Sequence, residues 1–282
     1  MEFFITLPSN VVSYSDKNTI GNYTTKLALR ISLEGNWEVG LKEISYTKSW
    51  FNITEDQHAF CYDKSTKTIT GSYFILEKGY YENIDKIFDK LSKTNFKYSK
   101  NGSWTNYEVM PSFAYNNVSN TIMVTNGVTT MSTVEGSENC RIFFSPELAE
   151  ILGYKGSKEI FSLIAKHPLK LTDELDAKLT AYISQELSSM DFTGGHHSLM
   201  VYCDLADPVH VGDTLAKLLR VVEIPGSTKH GEQVVITYDN PIFVSLLKKD
   251  FESIEIDIKD DAGVTVPFMF GRSIVTLQFR KK

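Results

Sequence analysis

Alternating apolar and polar positions dominate the end of the chain. In residues 251–258 isoleucines alternate with acidic residues, and in residues 273–279 apolar side chains alternate with polar ones. Successive side chains of a strand point to opposite faces, so each segment predicts a β-strand with one buried and one exposed face. The intervening 260–263 (DDAG) has the composition of a turn, residues 264–270 are predicted to be extended, and Gly271 predicts a bulge or bend.

The beginning of the chain has the same alternation. Residues 22–32 place one set of side chains on one face, namely Tyr23, Thr25, Leu27, Leu29 and Ile31. Residues 34–36 (EGN) have the composition of a turn, so residues 22–32 and 37–46 predict a β-hairpin. Further extended segments are predicted at residues 3–7, 198–204, 215–224 and 232–237.

Two segments in the middle of the chain have helical signals. Apolar residues at i, i+3, i+4 and i+7 from Ile84 predict a helix near residues 82–93. Ser145 as N-cap and Pro146 at the first helical position predict a second helix near residues 146–152. Regular alternation of strands and helices is absent, which favours an all-β class: antiparallel sheets forming a sandwich or jelly roll with inserted helices.

The predicted strands at the two ends of the chain have to pair with each other. This places residues 1–59 and 196–282 in one β-rich body. Helices and polar loops concentrate in residues 60–195, which we interpret partly as an insertion into that body. The chain is therefore predicted to have one domain with a central insertion, not two domains in series.

Charge and cysteine content narrow the function. The 282 residues carry a formal net charge of −6, whereas proteins that coat nucleic acid usually have the opposite sign, so direct nucleic-acid binding is not expected. The three cysteines, Cys61, Cys140 and Cys203, are odd in number and far apart, which is typical of a reducing compartment. The first residues lack the pattern of a signal peptide, and no apolar stretch approaches the ~20 residues of a membrane span.

The sequence offers little that could carry catalysis. A few residues could in principle bind a metal, namely His196, His197, Cys203 and His210. Their spacing matches no familiar zinc pattern, and the two adjacent histidines follow a glycine pair in a polar loop. Nucleotide-binding and nucleophile-elbow motifs are absent as well. We therefore predict a protein that is not an enzyme and that has no metal site and no cofactor.

One charged residue lies in an apolar run. Arg220 belongs to 218–222 (LLRVV), and Asp213 precedes it in a Gly-Asp turn. A buried arginine is rarely left without a partner, so a structural ion pair between Asp213 and Arg220 is favoured over a contact between Arg220 and a ligand.

Four blocks of sequence, in order along the chain, carry a family resemblance. They are 34–41 (EGNWEVGL) with 43–46 (EISY); 144–153 (FSPELAEILG); 199–204 (LMVYCD) with 211–215 (VGDTL) and 218–222 (LLRVV); and 254–258 (IEIDI) with 260–263 (DDAG), 266–268 (VPF) and 275–280 (VTLQFR). This ordered set resembles the minor capsid (penton) proteins of Polinton/Maverick elements and of related virophage-like and adintovirus-like viruses.

The resemblance implies a structural role without catalytic residues. It implies a single jelly roll that forms a homopentamer at the fivefold vertices of an icosahedral capsid, beside a double jelly-roll major capsid protein. The implied location is the capsid vertex of a virion assembled inside a eukaryotic host cell, in the nucleus or the cytoplasm. The insertion would lie on the exposed end, where it could contact a host receptor.

Ring closure around a fivefold axis needs two different patches, one meeting the other on the next copy. Interface candidates are Trp50, Phe51 and the segment 265–270, with Thr265, Phe268 and Phe270; the alternative is that these residues are core. The alternative function is a lectin-like or receptor-binding β-sandwich module that acts through the middle insertion. Its candidate anchors are Tyr80, Tyr81, Trp104 and Tyr115.

Overall fold

The computed structural model describes residues 1–10, 17–63, 68–92, 98–100, 103–105, 110–116, 121–127, 140–152 and 196–282. The chain divides into two compact units. The first, called the body, contains Met1–Trp50 and His196–Lys282. The second, called the middle unit, contains Phe51–Gly195.

The described part of the chain is mostly β-strand. In chain order the elements are β1 (Glu2–Pro8), β2 (Asn22–Ser32), β3 (Trp37–Thr47), β4 (Gln57–Asp63), β5 (Thr68–Leu76), α1 (Ile84–Ser92), β6 (Tyr98–Lys100), β7 (Ser103–Thr105), β8 (Met110–Asn116), β9 (Thr121–Gly127), β10 (Cys140–Phe144), α2 (Pro146–Ile151), β11 (Ser198–Cys203), β12 (Val209–Val211), β13 (Thr214–Ala216), β14 (Leu218–Glu223), β15 (Gln233–Thr237), β16 (Phe243–Ser245), β17 (Asp250–Lys259) and β18 (Ile274–Lys281).

The body is built from two antiparallel sheets. Sheet one has the order β1-β18-β3-β15, with β16 also paired to β3, and sheet two has the order β14-β11-β17-β2. When β15 and β16 are counted as one interrupted strand and the short β12–β13 hairpin is set aside, eight strands remain. The first pairs with the eighth, the second with the seventh, the third with the sixth and the fourth with the fifth. This nested pairing is a long hairpin rolled into two sheets, which is a single jelly roll.

The alternating segments at the end of the chain form strands with one buried face, as predicted. In β17 the residues Ile254, Ile256 and Ile258 are fully buried, and in β18 Leu277 and Phe279 are fully buried. Phe279 stacks on Phe251 across the sandwich, with ring centroids 6.0 Å apart. Burial of these side chains removes apolar surface from water, which is the main stabilising contribution to the body.

Contacts between the sheets fix which edge strands lie side by side. The hydroxyl of Tyr23 in β2 donates a hydrogen bond to the carbonyl oxygen of Leu7 in β1, at 3.0 Å. At the opposite side, the guanidinium of Arg220 in β14 lies over the ring of Tyr238, the residue after β15. The strands β1 and β2 therefore form one side of the sandwich, called the first lateral edge. The strands β14 and β15 form the other, called the second lateral edge.

The segment between β17 and β18 is a folded-back loop. The prediction that residues 264–270 are extended is wrong except at Thr265, which forms an isolated bridge with Lys259. The amide of Val266 donates to Ile258 O at 3.0 Å, and the amide of Phe268 donates to Val266 O at 2.9 Å. The first of these bonds flanks the bridge between Lys259 and Thr265, and the second is local to residues 266–268, after which the chain does not continue as a strand.

Gly271 ends this loop in a conformation that other residues rarely adopt. Its φ is 89°, and a Cβ atom there would lie 2.7 Å from Cβ of Thr47. Gly263 also has a positive φ, 80°, but open space surrounds its Cβ position. The interruption that the sequence predicts at Gly271 is therefore a bend with tertiary crowding.

We expect Gly271→Ala to destabilise the body more than Gly263→Ala does. Both variants carry the cost of a left-handed backbone, about 1–2 kcal/mol. Only Gly271→Ala adds a steric collision with Thr47. Urea denaturation measures both free energies of unfolding, and equal losses would show that the crowding at Thr47 has no energetic consequence.

The middle unit contains both helices of the described residues. Strands β10, β4 and β5 form a three-stranded sheet, and β6–β7 and β8–β9 form hairpins. Ser145 occupies the N-cap position of α2 as predicted, but its side chain makes no capping hydrogen bond to the helix backbone. Its hydroxyl donates instead to Oε1 of Gln57 at 2.5 Å, and the same oxygen accepts the amide of Leu148 at 3.3 Å. A glutamine from β4 thus supplies the cap acceptor.

Candidate assembly surface

The first lateral edge presents a bulge of four residues. Lys26 pairs with Ser253 and Ile31 pairs with Phe251, so residues 27–30 of β2 lie opposite the single residue Glu252 of β17. An extra length of strand that has no partner must loop outward. As a result Leu29 is 79% exposed. The prediction that Leu29 lies on the same face of β2 as Tyr23 and Thr25 is therefore wrong, because the bulge changes the phase of the alternation.

A charged pair holds the bulge in place. Arg30 Nε and Nη2 donate to the two carboxylate oxygens of Asp250 at 2.6 and 2.5 Å. This bidentate geometry constrains both side chains more strongly than a single contact would. Arg30 and Asp250 are both exposed, so the pair contributes little stability, but it joins the end of the bulge to the first residue of β17.

Some backbone hydrogen-bonding groups on the free edge of β2 are already occupied by a side chain. Asn18 Nδ2 donates to Thr24 O, and Thr24 N donates to Asn18 Oδ1, each at 3.0 Å. The asparagine side chain thereby occupies the hydrogen-bonding groups that a further strand would need. Together with the bulge, this is a way to protect a sheet edge against strand addition.

The second lateral edge is closed by an arginine that stacks on a tyrosine. The guanidinium carbon of Arg220 lies 3.5 Å from the ring centroid of Tyr238. Lys42 Nζ donates to Tyr238 O at 2.9 Å, which ties the same residue to β3. Two apolar side chains remain exposed on the strands of this edge, Val221 at 48% and Val235 at 58%.

The structure gives Arg220 a partner other than the one that the sequence favours. Asp213 lies in the exposed turn between β12 and β13. Among the residues that the structure describes, no ion pair joins Asp213 to Arg220. Nη1 of Arg220 is buried and has no hydrogen-bond partner in the described ranges. A cation–π contact therefore takes the place of a carboxylate here.

The predicted interface residues lie in different environments. Trp50 is 2% exposed and packs against Tyr46 and Phe268, with ring centroids 6.2 and 5.6 Å away. Thr265 and Phe268 are half-buried, and Phe270 is 47% exposed with its ring edge-on to His230. Phe51 belongs to the middle unit and is half-buried. Of this set, Phe270 is the side chain with most of its surface available to a neighbour.

The candidate anchors of the alternative function are only partly described. Tyr80 and Tyr81 are half-buried in the middle unit. Trp104 and Tyr115 lie in β7 and β8, and their side chains are outside the described set.

His196 lies at the point where the chain re-enters the body. Its side chain is nearly buried, its ring is edge-on to Trp50 at 5.7 Å, and Nδ1 is 3.6 Å from Oδ2 of Asp260. That distance is too long for a hydrogen bond. Burial lowers the pKa of His196 below its ordinary value, against the opposing effect of Asp260 and Asp261; His197 lowers it further.

We expect the free energy of unfolding to fall as the pH drops below about 6.5, the ordinary pKa of histidine. The unfolded chain binds the proton of His196 more readily than the folded body does, so protonation favours unfolding. The free energy of unfolding continues to fall until the pH is below the lowered pKa that His196 has in the folded body. Urea denaturation between pH 7.5 and 5 measures the slope, which should be smaller in His196→Gln.

The matched control for this experiment is His210→Gln, at an exposed position of β12 that leaves His196 unchanged. An identical pH slope in the wild type and in His196→Gln would contradict the assignment to His196.

The described residues hold little that could react. No group of three or more His, Cys, Asp or Glu side chains able to bind a metal occurs among them. Burial raises the pKa of the Cys203 thiol to about 12, which keeps it protonated and unreactive. No helix within the described ranges is long and apolar enough to cross a membrane.

An open groove of about 450 Å³ lies on sheet two. Two of its three carboxylates, Asp204 and Asp257, already have partners within the chain. Asp204 contacts Lys248 Nζ at 3.1 Å, and Asp257 accepts from Thr265 at 3.1 Å and contacts Lys259 at 3.3 Å. A groove whose charges are paired in this way offers few free groups to a ligand.

The residues exposed at the lateral edges were not found from the sequence. Val221 and Val235 belong to apolar runs that resemble core strands, and their exposure depends on the strands being at the sheet edges. The bulge at Leu29 has no local signal, because residues 22–32 alternate regularly. Only the register of β2 against β17 reveals it.

Comparison with known proteins gives structural likeness at low sequence identity. No protein-family model matches the chain, and no curated protein matches its sequence. The structure is similar to the crystal structure of the mavirus penton protein, with a TM-score of 0.49 and 13% identity over 100% of this chain and 99% of that one. It is also similar to a chain in the cryo-EM structure of the Sputnik virophage, with a TM-score of 0.44 and 9% identity over 100% and 98% of the two chains.

Proposed function

We propose that this protein is a structural capsid protein, a penton subunit that forms pentamers at the fivefold vertices of an icosahedral shell. The observation that carries the proposal is the single jelly roll of the body, in which all eight strands follow the nested pairing. The four sequence blocks that resemble minor capsid proteins support it, because three of them include strands of this body. The partner at the vertex would be a double jelly-roll major capsid protein.

The surface of the body also supports assembly. A ring needs one patch on each of two sides of the subunit, because each copy contacts its neighbours through different surfaces. Both lateral edges expose apolar side chains, Phe4 and Leu29 on the first and Val221 and Val235 on the second. Assembly into a ring would bury such side chains on both sides of each copy.

The proposal assigns the middle unit a role different from that of the body. Its residues follow β3 and precede β11, so it is inserted between the third and fourth strands of the jelly roll. We infer that it lies on the exposed side of the capsid, where it could contact a host receptor. The proposed location of the protein is the vertex of the virion, and the proposed role needs no catalysis.

The concentration dependence of the mass in solution tests the proposal. Analytical ultracentrifugation and native mass spectrometry, continued up to the solubility limit, should show a species of five chains. A dimer or a hexamer as the main assembly would contradict fivefold geometry. A monomer at every concentration that also binds glycans would favour the alternative, a lectin-like or receptor-binding module.

A further inference from the structure

The first strand of the body has an open edge. Among the described strands, β1 lies at the end of sheet one and pairs with β18 alone. Directly after β1, Ser9 N donates to Ser273 O at 2.9 Å, in the same register. Residues of an antiparallel strand bond alternately to one side and to the other, so this bond assigns the odd-numbered residues of β1 to β18. Glu2, Phe4 and Thr6 therefore direct their N–H and C=O groups toward the free edge.

The backbone groups on this free edge have no partner within the described ranges. No hydrogen bond reaches the N–H or C=O of Glu2, Phe4 or Thr6 there. The pairing of β1 with β18 is regular from Glu2 to Pro8, without a bulge. By contrast, β2 carries a four-residue bulge and the side chain of Asn18 on its edge. Natural sheet edges are usually protected by such devices, so a regular edge that lacks them is suited to receive another strand.

The inner side chains of β1 leave apolar surface uncovered beside this edge. Leu7 is fully buried, and the hydroxyl of Tyr23 in β2 reaches its carbonyl oxygen. Phe3 and Ile5 pack against the core but are only half-buried. An added strand would bury more of these two side chains while its backbone bonds to β1, and both effects favour binding.

The strands of a second copy fit this edge poorly. The other strand at the end of sheet one, β15, has only five residues, Gln233–Thr237, whereas β1 has seven. The strand β14 is irregular, because its register with β11 shifts between Val201 and Tyr202. Antiparallel pairing of two β1 strands would relate the copies by a twofold axis and close a dimer instead of a ring. An extended segment of a different protein can follow the whole length of β1.

We propose that the free edge of β1 binds an extended segment of a different protein chain by antiparallel strand addition. The segment needs apolar side chains at every second position, where they lie beside Phe3 and Ile5. At the positions between them it needs side chains that tolerate water, beside Phe4 and Thr6. The choice of a different protein rests on the proposed function, because only a ring of copies excludes the twofold dimer.

A peptide with the sequence of β18, residues 274–281 (IVTLQFRK), serves as the probe. In the folded chain this sequence already places its apolar residues beside Phe3, Ile5 and Leu7 of β1. Hydrogen exchange of the 282-residue chain, followed by NMR, reports each amide separately. Without the peptide, the amides of Phe4 and Thr6 should exchange at least about tenfold faster than those of Phe3 and Ile5. With the peptide bound, this difference should disappear.

Two substitutions at one position isolate the contribution of the backbone. Thr6→Pro removes an N–H from the free edge and leaves the bonds between β1 and β18, so it should lower the affinity for the peptide at least about fivefold. Thr6→Val is the matched control, because it keeps the N–H but also loses the side-chain bond between Thr6 and Thr276. It should bind the peptide like the wild type. Urea denaturation checks that both variants are folded, and the exchange measurement on the wild type needs neither of them.

The possible results separate strand addition from the proposed function. Amides of Phe4 and Thr6 that stay unprotected up to the solubility limit of the peptide would overturn strand addition. Equal affinity for the peptide in Thr6→Val and in folded Thr6→Pro would do the same. If the wild type forms pentamers that the peptide dissociates, the edge belongs to the contact between copies, and the assignment to a different protein is wrong. If the wild type forms no pentamer but the peptide protects both amides, the proposed function fails and strand addition stands.

Discussion

Replacing Phe279 by alanine should remove about 3–5 kcal/mol from the free energy of unfolding of the body, the usual cost for a buried phenylalanine. Phe279 is fully buried in β18, the strand that pairs with both β1 and β3. Its ring stacks on Phe3 at 4.8 Å and on Phe251 at 6.0 Å. The substitution would leave a cavity between the two sheets at the point where the first and last strands meet.

The matched control is Phe4→Ala, the same substitution at a half-exposed position of β1. There the expected loss is within about 0.5 kcal/mol, because most of the ring already contacts water. Urea denaturation followed by tryptophan fluorescence measures both variants. Equal losses would contradict the placement of Phe279 in the core.

The second large effect is expected from Gln57→Leu in the middle unit. Gln57 is buried, and its side-chain oxygen accepts from Ser145 and from the amide of Leu148. Its side-chain nitrogen donates to Glu55 O at 2.9 Å and to the carboxylate of Glu147. Leucine has a similar volume but leaves these groups without a partner. The expected loss is about 2–4 kcal/mol, because buried polar groups without hydrogen bonds are costly.

Hydrogen exchange resolves where this loss occurs. The amides of α2 should exchange faster in Gln57→Leu, while those of β17 and β18 in the body should be unchanged. The control is Gln278→Leu in β18, which removes an exposed hydrogen bond to Glu2. It should lower the free energy of unfolding only slightly. Unchanged protection of α2 in Gln57→Leu would show that the glutamine does not cap this helix.

The sequence predicts strands well where one face of a strand is uniformly buried. The alternation of isoleucine with acidic residues in β17 survives in the structure because each isoleucine faces the same core. Both helices are likewise found where apolar spacing and the Ser-Pro start predict them. In these segments local periodicity and tertiary environment agree.

The sequence-based predictions fail where contacts with a distant part of the chain determine the environment of a residue. Leu29 alternates correctly but is exposed, because β2 has more residues than β17 between the same pairing points. The cation–π partner of Arg220 is Tyr238, which comes from the opposite sheet. The cap acceptor at Ser145 comes from Gln57, 88 residues away. None of these contacts has a signal in the neighbouring sequence.

The same reason explains why the candidate surface is harder to predict than the fold. Apolar residues such as Val221 and Val235 have the same local pattern whether their strand is central or at an edge. Strand order alone determines that β14 and β15 are at edges, and strand order follows from pairings between residues that are far apart in the chain.

Electron cryo-microscopy of shells is the most direct test of the account. This chain would be co-expressed with a double jelly-roll major capsid protein, its proposed partner, and the assembled particles would be imaged. The account predicts five copies of the jelly-roll body around each fivefold axis. Closed shells whose vertices lack this chain, with the protein left in the soluble fraction, would contradict it.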